Sequence, residues 1–212
     1  MIPKAKRVLV LAPHTDDGEL GCGGTIAKLA SEGVEVYYIA FSLCENSLPE
    51  GLPPNTLEIE VKAATKVLGI APENLIIFNF PVRMFKTYRQ EILEELIKVR
   101  NRVQPDLVFL PCSTDIHQDH QVIFEEGVRA FKHVSILGYE MPWNNISLNT
   151  TSFVILEEAA IQIKAEALKA YASQGHRNYL NENFIRSLAT TRGVQIGTPF
   201  AEAFEVIRWI WR

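Results

Sequence analysis

At 212 residues, with 47% hydrophobic and 22% charged side chains, the chain can bury one full-sized core; this excludes disordered and fibrous classes and predicts a single domain over 1–212. A formal net charge of -4 gives no general attraction for nucleic acid or anionic lipid, and no local basic patch replaces it. The start carries Lys4, Lys6 and Arg7, but the apolar run after them, Val8 to Pro13, is too short for a signal peptide or a membrane span, which predicts a cytoplasmic protein without a transmembrane segment.

Val8 to Pro13 is a continuous apolar run with β-branched residues, the pattern of a strand buried on both faces. A helix follows from about Leu20 to Glu32, with Gly33 as its stop. Val34 to Ser42 is a second strand, so the chain opens as βαβ. After a proline-rich loop, Asn55 with Glu58 resembles a capping box and opens a helix whose apolar stripe is Leu57, Val61, Ala64 and Leu68. Leu75 to Phe80 is a third strand. Thr87 with Gln90 gives a second capping-box pattern, ahead of the stripe Tyr88, Ile92, Leu96, Val99 and Val103. Leu107 to Pro111 is a fourth strand, and a helix runs from the polar segment after it to about Lys132. Val134 to Glu140 and Ser152 to Leu156 are further strands, Glu157 to Ser173 and Tyr179 to Thr191 are helices, and Ala203 to Trp211 closes the chain as a strand. Trp209 and Trp211 read as packing or as a contact between copies, which leaves homo-oligomerisation open. Three widely spaced cysteines, Cys22, Cys44 and Cys112, read as buried thiols rather than as a disulfide framework.

Alternating strands and helices predict an α/β, Rossmann-like three-layer sandwich with a mostly parallel sheet. In the doubly wound order 3-2-1-4-5, strands one and four are neighbours, and ligands bind beyond their carboxyl ends. Both polar clusters of the chain follow those two strands. The first is His14-Thr15-Asp16-Asp17-Gly18-Glu19 and the second is Cys112-Ser113-Thr114-Asp115-Ile116-His117-Gln118-Asp119-His120. A helix-capping turn would use the aspartates but has no need of a histidine. A catalytic zinc takes three nitrogen or oxygen ligands, and two histidines with one carboxylate suit it. A further carboxylate can then serve as general base, and a further histidine as oxyanion stabiliser or proton donor. The same donors accept Fe2+, Co2+ or Mn2+. Gly21, Gly23 and Gly24 do not match the dinucleotide pattern, which argues against a nicotinamide enzyme, and read as close helix packing.

At these residues the chain resembles the LmbE-like, or PIG-L, family of zinc-dependent N-deacetylases, which act on N-acetylglucosamine conjugates. The resemblance rests on Pro13-His14-Thr15-Asp16-Asp17, continued by Leu20-Gly21-Cys22-Gly23-Gly24-Thr25, and on His117-Gln118-Asp119-His120, and it runs from Arg7 to about Gln174. It implies a Rossmann-like fold, a GlcNAc-type substrate and His14, Asp17 and His120 as zinc ligands. It also implies Asp16 as general base, His117 as the group that polarises the carbonyl or protonates the amine, and Asp119 as the residue that orients a histidine. Thr15 stands where the family has proline. Gly18 stands where it has glutamate, with Glu19 one place later as the candidate replacement at the metal or substrate. Arg83, in the loop after strand three, is a candidate for gripping a substrate hydroxyl or phosphate. Tyr171-Ala172-Ser173-Gln174 resembles a segment common in these deacetylases. The competing readings are an amidohydrolase acting on another acyl or thiol conjugate and a non-catalytic metal- or sugar-binding protein.

Overall fold

The computed structural model describes residues 5–211; Lys4, in the basic start, lies outside them. The strands are β1 (Arg7–His14), β2 (Glu35–Ser42), β3 (Leu75–Ile77), β4 (Leu107–Pro111), β5 (Ser135–Tyr139), β6 (Ser152–Leu156) and β7 (Phe200–Arg208). The helices are α1 (Asp17–Ser31), α2 (Thr56–Val67), α3 (Arg89–Val103), α4 (Gln118–Ala130), α5 (Glu158–Lys169) and α6 (Glu182–Gln195). One seven-stranded sheet has the order β3-β2-β1-β4-β5-β7-β6. Its first five strands are parallel, and β7 pairs antiparallel with both β5 and β6.

The alternation along β1 builds both faces. Val8, Val10 and Ala12 enter one core with Ile26 of α1, Val61 of α2, Ile161 of α5 and Ile185 of α6. Leu9 and Leu11 enter the other, with Ile92 and Leu96 of α3 and Ile123 of α4. A strand buried on both faces between helix layers is the three-layer arrangement expected from the sequence. Among the described residues no helix is long and apolar enough to cross a membrane.

Several boundaries differ from the sequence reading. α1 begins at Asp17 rather than Leu20, with Asp16 at its N-cap. β3 ends at Ile77, yet Phe78 and Phe80 still donate to the carbonyls of Ala40 and Phe41, at 2.8 and 3.0 Å; the chain follows β2 without regular pairing. Neither capping box forms, since Asn55 makes no side-chain capping bond and the N-cap of α3 is Tyr88, not Thr87. β7 ends at Arg208, so Trp209 and Trp211 lie beyond the strand, and Trp211 is 86% exposed rather than packed.

Close approach of α1 to the sheet depends on Gly21. A Cβ there would lie only 2.3 Å from Cδ2 of Tyr139, a fully buried side chain of β5. Gly21→Ala should therefore destabilise the chain by about 1–3 kcal/mol, the usual cost of overpacking a core. In urea unfolding this appears as a lower midpoint at unchanged slope, and a wild-type midpoint would show that Tyr139 moves aside freely.

Candidate metal centre and active site

β1 and β4 pair in parallel through Val8–Leu107, Leu9–Val108 and Val10–Phe109, so the segments leaving their carboxyl ends meet. His14 is the last residue of β1, Asp17 opens α1, and His117 caps α4, whose first turn carries Asp119 and His120. Nδ1 of His14, Oδ2 of Asp17 and Nε2 of His120 form a triangle with sides of 3.1, 3.2 and 3.4 Å. A tetrahedral ion with bonds of about 2.0–2.2 Å separates its ligand atoms by about 3.3–3.6 Å. The triangle is close to that size, and its donor set of two imidazoles and a carboxylate suits a divalent cation.

The outward nitrogens are also held. Nε2 of His14 lies 3.1 Å from Oδ2 of Asp119, and Nδ1 of His120 lies 2.7 Å from Oδ2 of Asp115. Carboxylates in those positions fix the ring orientation and raise the basicity of a metal-ligating histidine. The backbone N–H of His14 donates to Asp17 Oδ2 at 2.8 Å, which holds the third corner. A further ring is close: one nitrogen each of His14, His117 and His120 lies within 4.8 Å of the others. Nδ1 of His117 accepts the Asp119 N–H at 3.2 Å. That bond places the proton of the neutral ring on Nε2.

Burial opposes charge on both triangle histidines, but the carboxylates overcome it. Asp17 and Asp119 raise His14 to about 9, and Asp17 and Asp115 raise His120 to about 10. Burial likewise opposes the charge of Asp17, yet the two imidazoles hold its carboxyl well below the usual range. Asp16 behaves oppositely: burial and the neighbouring Asp17 charge push it up to about 6. Burial and the charges of His120 and His14 lower His117 to about 4. Two adjacent aspartates thus differ sharply, one held as a carboxylate and the other tuned towards neutral pH.

A cavity of about 240 Å³ opens on this cluster; its wall includes His14, Asp16, Asp17, His117, His120 and Arg83. Asp16 makes no side-chain capping bond, so the helix-capping alternative for this aspartate does not hold. Arg83 stands in the left-handed backbone region, φ 67°, with its N–H bonded to Asp119 Oδ2 at 2.7 Å. Glu19 is a correction. It is fully buried under the turn and does not reach the cavity, so it makes no direct substrate contact. Its carboxyl accepts from the hydroxyls of Tyr38 and Tyr171, and burial raises its pKa to about 8.

Sequence reasoning assigned no role to several groups here. Asp115 was visible in the second cluster, but nothing in its spacing points to His120. Tyr38 and Tyr171 bring their hydroxyls to the Thr15 carbonyl at 2.9 and 2.7 Å, across 23 and 156 residues of chain. Trp143 stacks on Tyr179 with ring centroids 4.0 Å apart, and both line the cavity, as does Arg177. Only the Tyr171–Gln174 segment carried a signal in the sequence.

The family model described as PIG-L, GlcNAc-PI de-N-acetylase, matches residues 9–131. An uncharacterized deacetylase of Escherichia coli (strain K12), YaiS, is 30% identical over 178 residues, covering 80% of this chain and 92% of its own. The diacetylchitobiose deacetylase of Thermococcus kodakarensis is 24% identical and covers 97% of this chain and 85% of its own. Among solved structures, the N,N'-diacetylchitobiose deacetylase from Pyrococcus horikoshii superposes with a TM-score of 0.81 at 24% identity, over 96% of this chain and 84% of that one. With a family match that spans both polar clusters and a relative of nearly equal span, this chain belongs to the PIG-L family of N-deacetylases.

Proposed function

We propose that residues 1–212 act as one catalytic unit, a zinc-dependent enzyme that removes the acetyl group from an N-acetylglucosamine conjugate. The observation that carries this reading is the His14–Asp17–His120 triangle, sized for a tetrahedral ion and opening into a cavity that Asp16 also lines. A cytosolic setting accords with Cys22, Cys44 and Cys112, all free thiols.

His14, Asp17 and His120 would hold the ion, which when bound supplies a Lewis acid for the amide carbonyl and acidifies its water. Asp16 is the general base. Its carboxyl, raised to about 6, is ionised at neutral pH and still basic enough to take a proton from the attacking water. His117, with Nδ1 committed to the α4 backbone, offers Nε2–H to the carbonyl oxygen as negative charge develops there. When the C–N bond breaks, the departing amine takes the proton that Asp16 removed from the water, and acetate is released. Asp119 and Asp115 orient the two ligand histidines. Arg83, exposed at the cavity wall, is placed to hold a sugar hydroxyl or a phosphate of the conjugate. The test is release of free amine from a panel of N-acetyl sugars and conjugates by enzyme of known zinc content. Turnover that disappears on chelation and returns with zinc supports the reading, and a fully loaded enzyme that releases amine from none of the panel overturns it.

Asp16→Asn should keep its metal while kcat falls by about two to four orders of magnitude, the usual worth of a positioned general base. Asp17→Asn should lose metal first and recover part of its activity in excess metal. Metal content and kcat measured together separate the two roles; near-normal kcat in the Asp16 variant removes it as the base.

Asp115→Asn should weaken metal affinity by about ten- to a hundredfold, as expected when the carboxylate behind a ligating histidine is neutralised. Competition with a chromophoric chelator measures this, and wild-type affinity would reduce Asp115 to a brace for the loop before α4.

A further inference from the structure

α1 is not a continuous helix. Cys22, in its second turn, has φ −146° and ψ 24°, and the helix kinks there. The kink divides a short leading segment, which carries Asp17, from the longer segment packed on the sheet. In an uninterrupted α-helix the Leu20 carbonyl would pair with the Gly24 N–H. Here each is engaged by one member of a buried ion pair.

Lys164 of α5 donates to the Leu20 carbonyl at 2.7 Å and to Glu202 Oε1 at 2.6 Å. Glu202 of β7 accepts the Gly24 N–H on Oε1 at 3.0 Å and the Thr25 N–H on Oε2 at 2.7 Å. The cation thus meets the carbonyl end of the leading segment, and the carboxylate meets the amide end of the following one. Each charge has the sign that a helix terminus attracts. The glycines of the sequence motif make room for it. A Cβ on Gly23 would lie 3.0 Å from the Lys164 stem, and one on Gly24 would lie 3.2 Å from Glu202 Oε1. Cys22 completes the break by donating its thiol to the Gly18 carbonyl.

Lys164 and Glu202 have side chains only 6% and 7% exposed. Taking both charges out of water is costly, and an apolar pair would often stabilise a core as well or better. A pair wedged between two helical hydrogen-bonding partners has a different use, because it determines where the backbone bends. We propose that Lys164 and Glu202 are positioning residues that set the tilt of the leading turn of α1, and so bring the Asp17 carboxylate into register with His14 and His120. This rests on the reading of Asp17 as a metal ligand. A site of this kind tolerates displacements of only about 0.5 Å, and the remainder of α1 is packed on the sheet and cannot follow a straightened first turn.

The test uses the full chain loaded with Co2+, whose visible absorption reports coordination geometry as well as occupancy. Glu202→Gln and Lys164→Met each leave one buried charge without its partner, so the double variant Lys164→Met/Glu202→Gln, which removes both, is measured beside them. Glu140→Gln/Arg192→Met serves as control, because it removes another ion pair, between half-buried Arg192 and buried Glu140 at 2.6 Å from Nη2, that makes no bond to α1. The expected result, well below each unfolding temperature, is Co2+ binding weakened by about tenfold or more, with an altered absorption spectrum, in every folded Lys164 or Glu202 variant. The control should lose thermal stability alone. Wild-type Co2+ affinity and spectrum in the folded double variant, whatever its melting temperature, would overturn the proposal. A wild-type chain that takes up no Co2+ would overturn the metal-site reading itself.

Discussion

The structure depends on burying Asp17, Asp115 and Asp119 within hydrogen-bonding reach of two imidazoles. An ionised carboxylate left alone in such a place would be severely destabilising. Each is compensated only because the end of β1, the first turn of α1 and the first turn of α4 arrive at one point. Close packing makes that convergence possible. Gly21 lets α1 settle on Tyr139, and Gly127 lets α4 settle between Leu110 of β4 and Leu11 of β1. The two helices that carry the polar cluster therefore each lack a side chain where they touch the sheet.

Beneath the cluster lies a second polar layer. The Thr15 carbonyl faces two phenol hydroxyls, and Glu19 bridges those same hydroxyls from the other side. A turn of this kind would otherwise bury an unpaired carbonyl directly beside the site. Proline at position 15 would leave the carbonyl where it is, so the replacement by threonine does not disturb this bonding. Gly18 is required for a related reason, since a Cβ there would collide with the Tyr38 ring. The departure of Gly18 from the family pattern and the presence of Tyr38 are thus one structural fact.

Much of this was legible in the chain. Strand periodicity and βαβ alternation gave the sheet order for strands one to five, because parallel topology leaves few arrangements. The two clusters could be paired since each follows a strand whose place was known. The partners that reach in from afar were not legible. Asp115, Tyr38, Lys164 and Glu202 act through contacts that no local spacing encodes. Glu19 misled for a geometric reason. Successive helical residues turn by about 100°, so with Asp17 facing the cavity a residue two places on faces nearly the opposite way. The capping-box patterns failed because flanking turns set those helix starts. Thr56, not Asn55, makes the local bond, to the Pro53 carbonyl at 2.7 Å, and the turn through Met84 and Thr87 carries the chain into Tyr88.

One oxygen atom joins two residues that the chain keeps 69 positions apart, His14 and Arg83. Asp119 Oδ2 accepts the backbone N–H of Arg83 and also faces Nε2 of His14. Gln118 steadies the same loop through the Arg83 carbonyl at 3.0 Å, holding a left-handed conformation that a residue with a Cβ rarely adopts. Because both bonds draw on a single acceptor, whatever stiffens the orientation of His14 also lowers the freedom of the Arg83 loop. By thermodynamic reciprocity, a ligand that orders the loop returns the same free energy to the imidazole. The wall that would meet a sugar and the imidazole that would meet a cation therefore answer to each other through a shared oxygen.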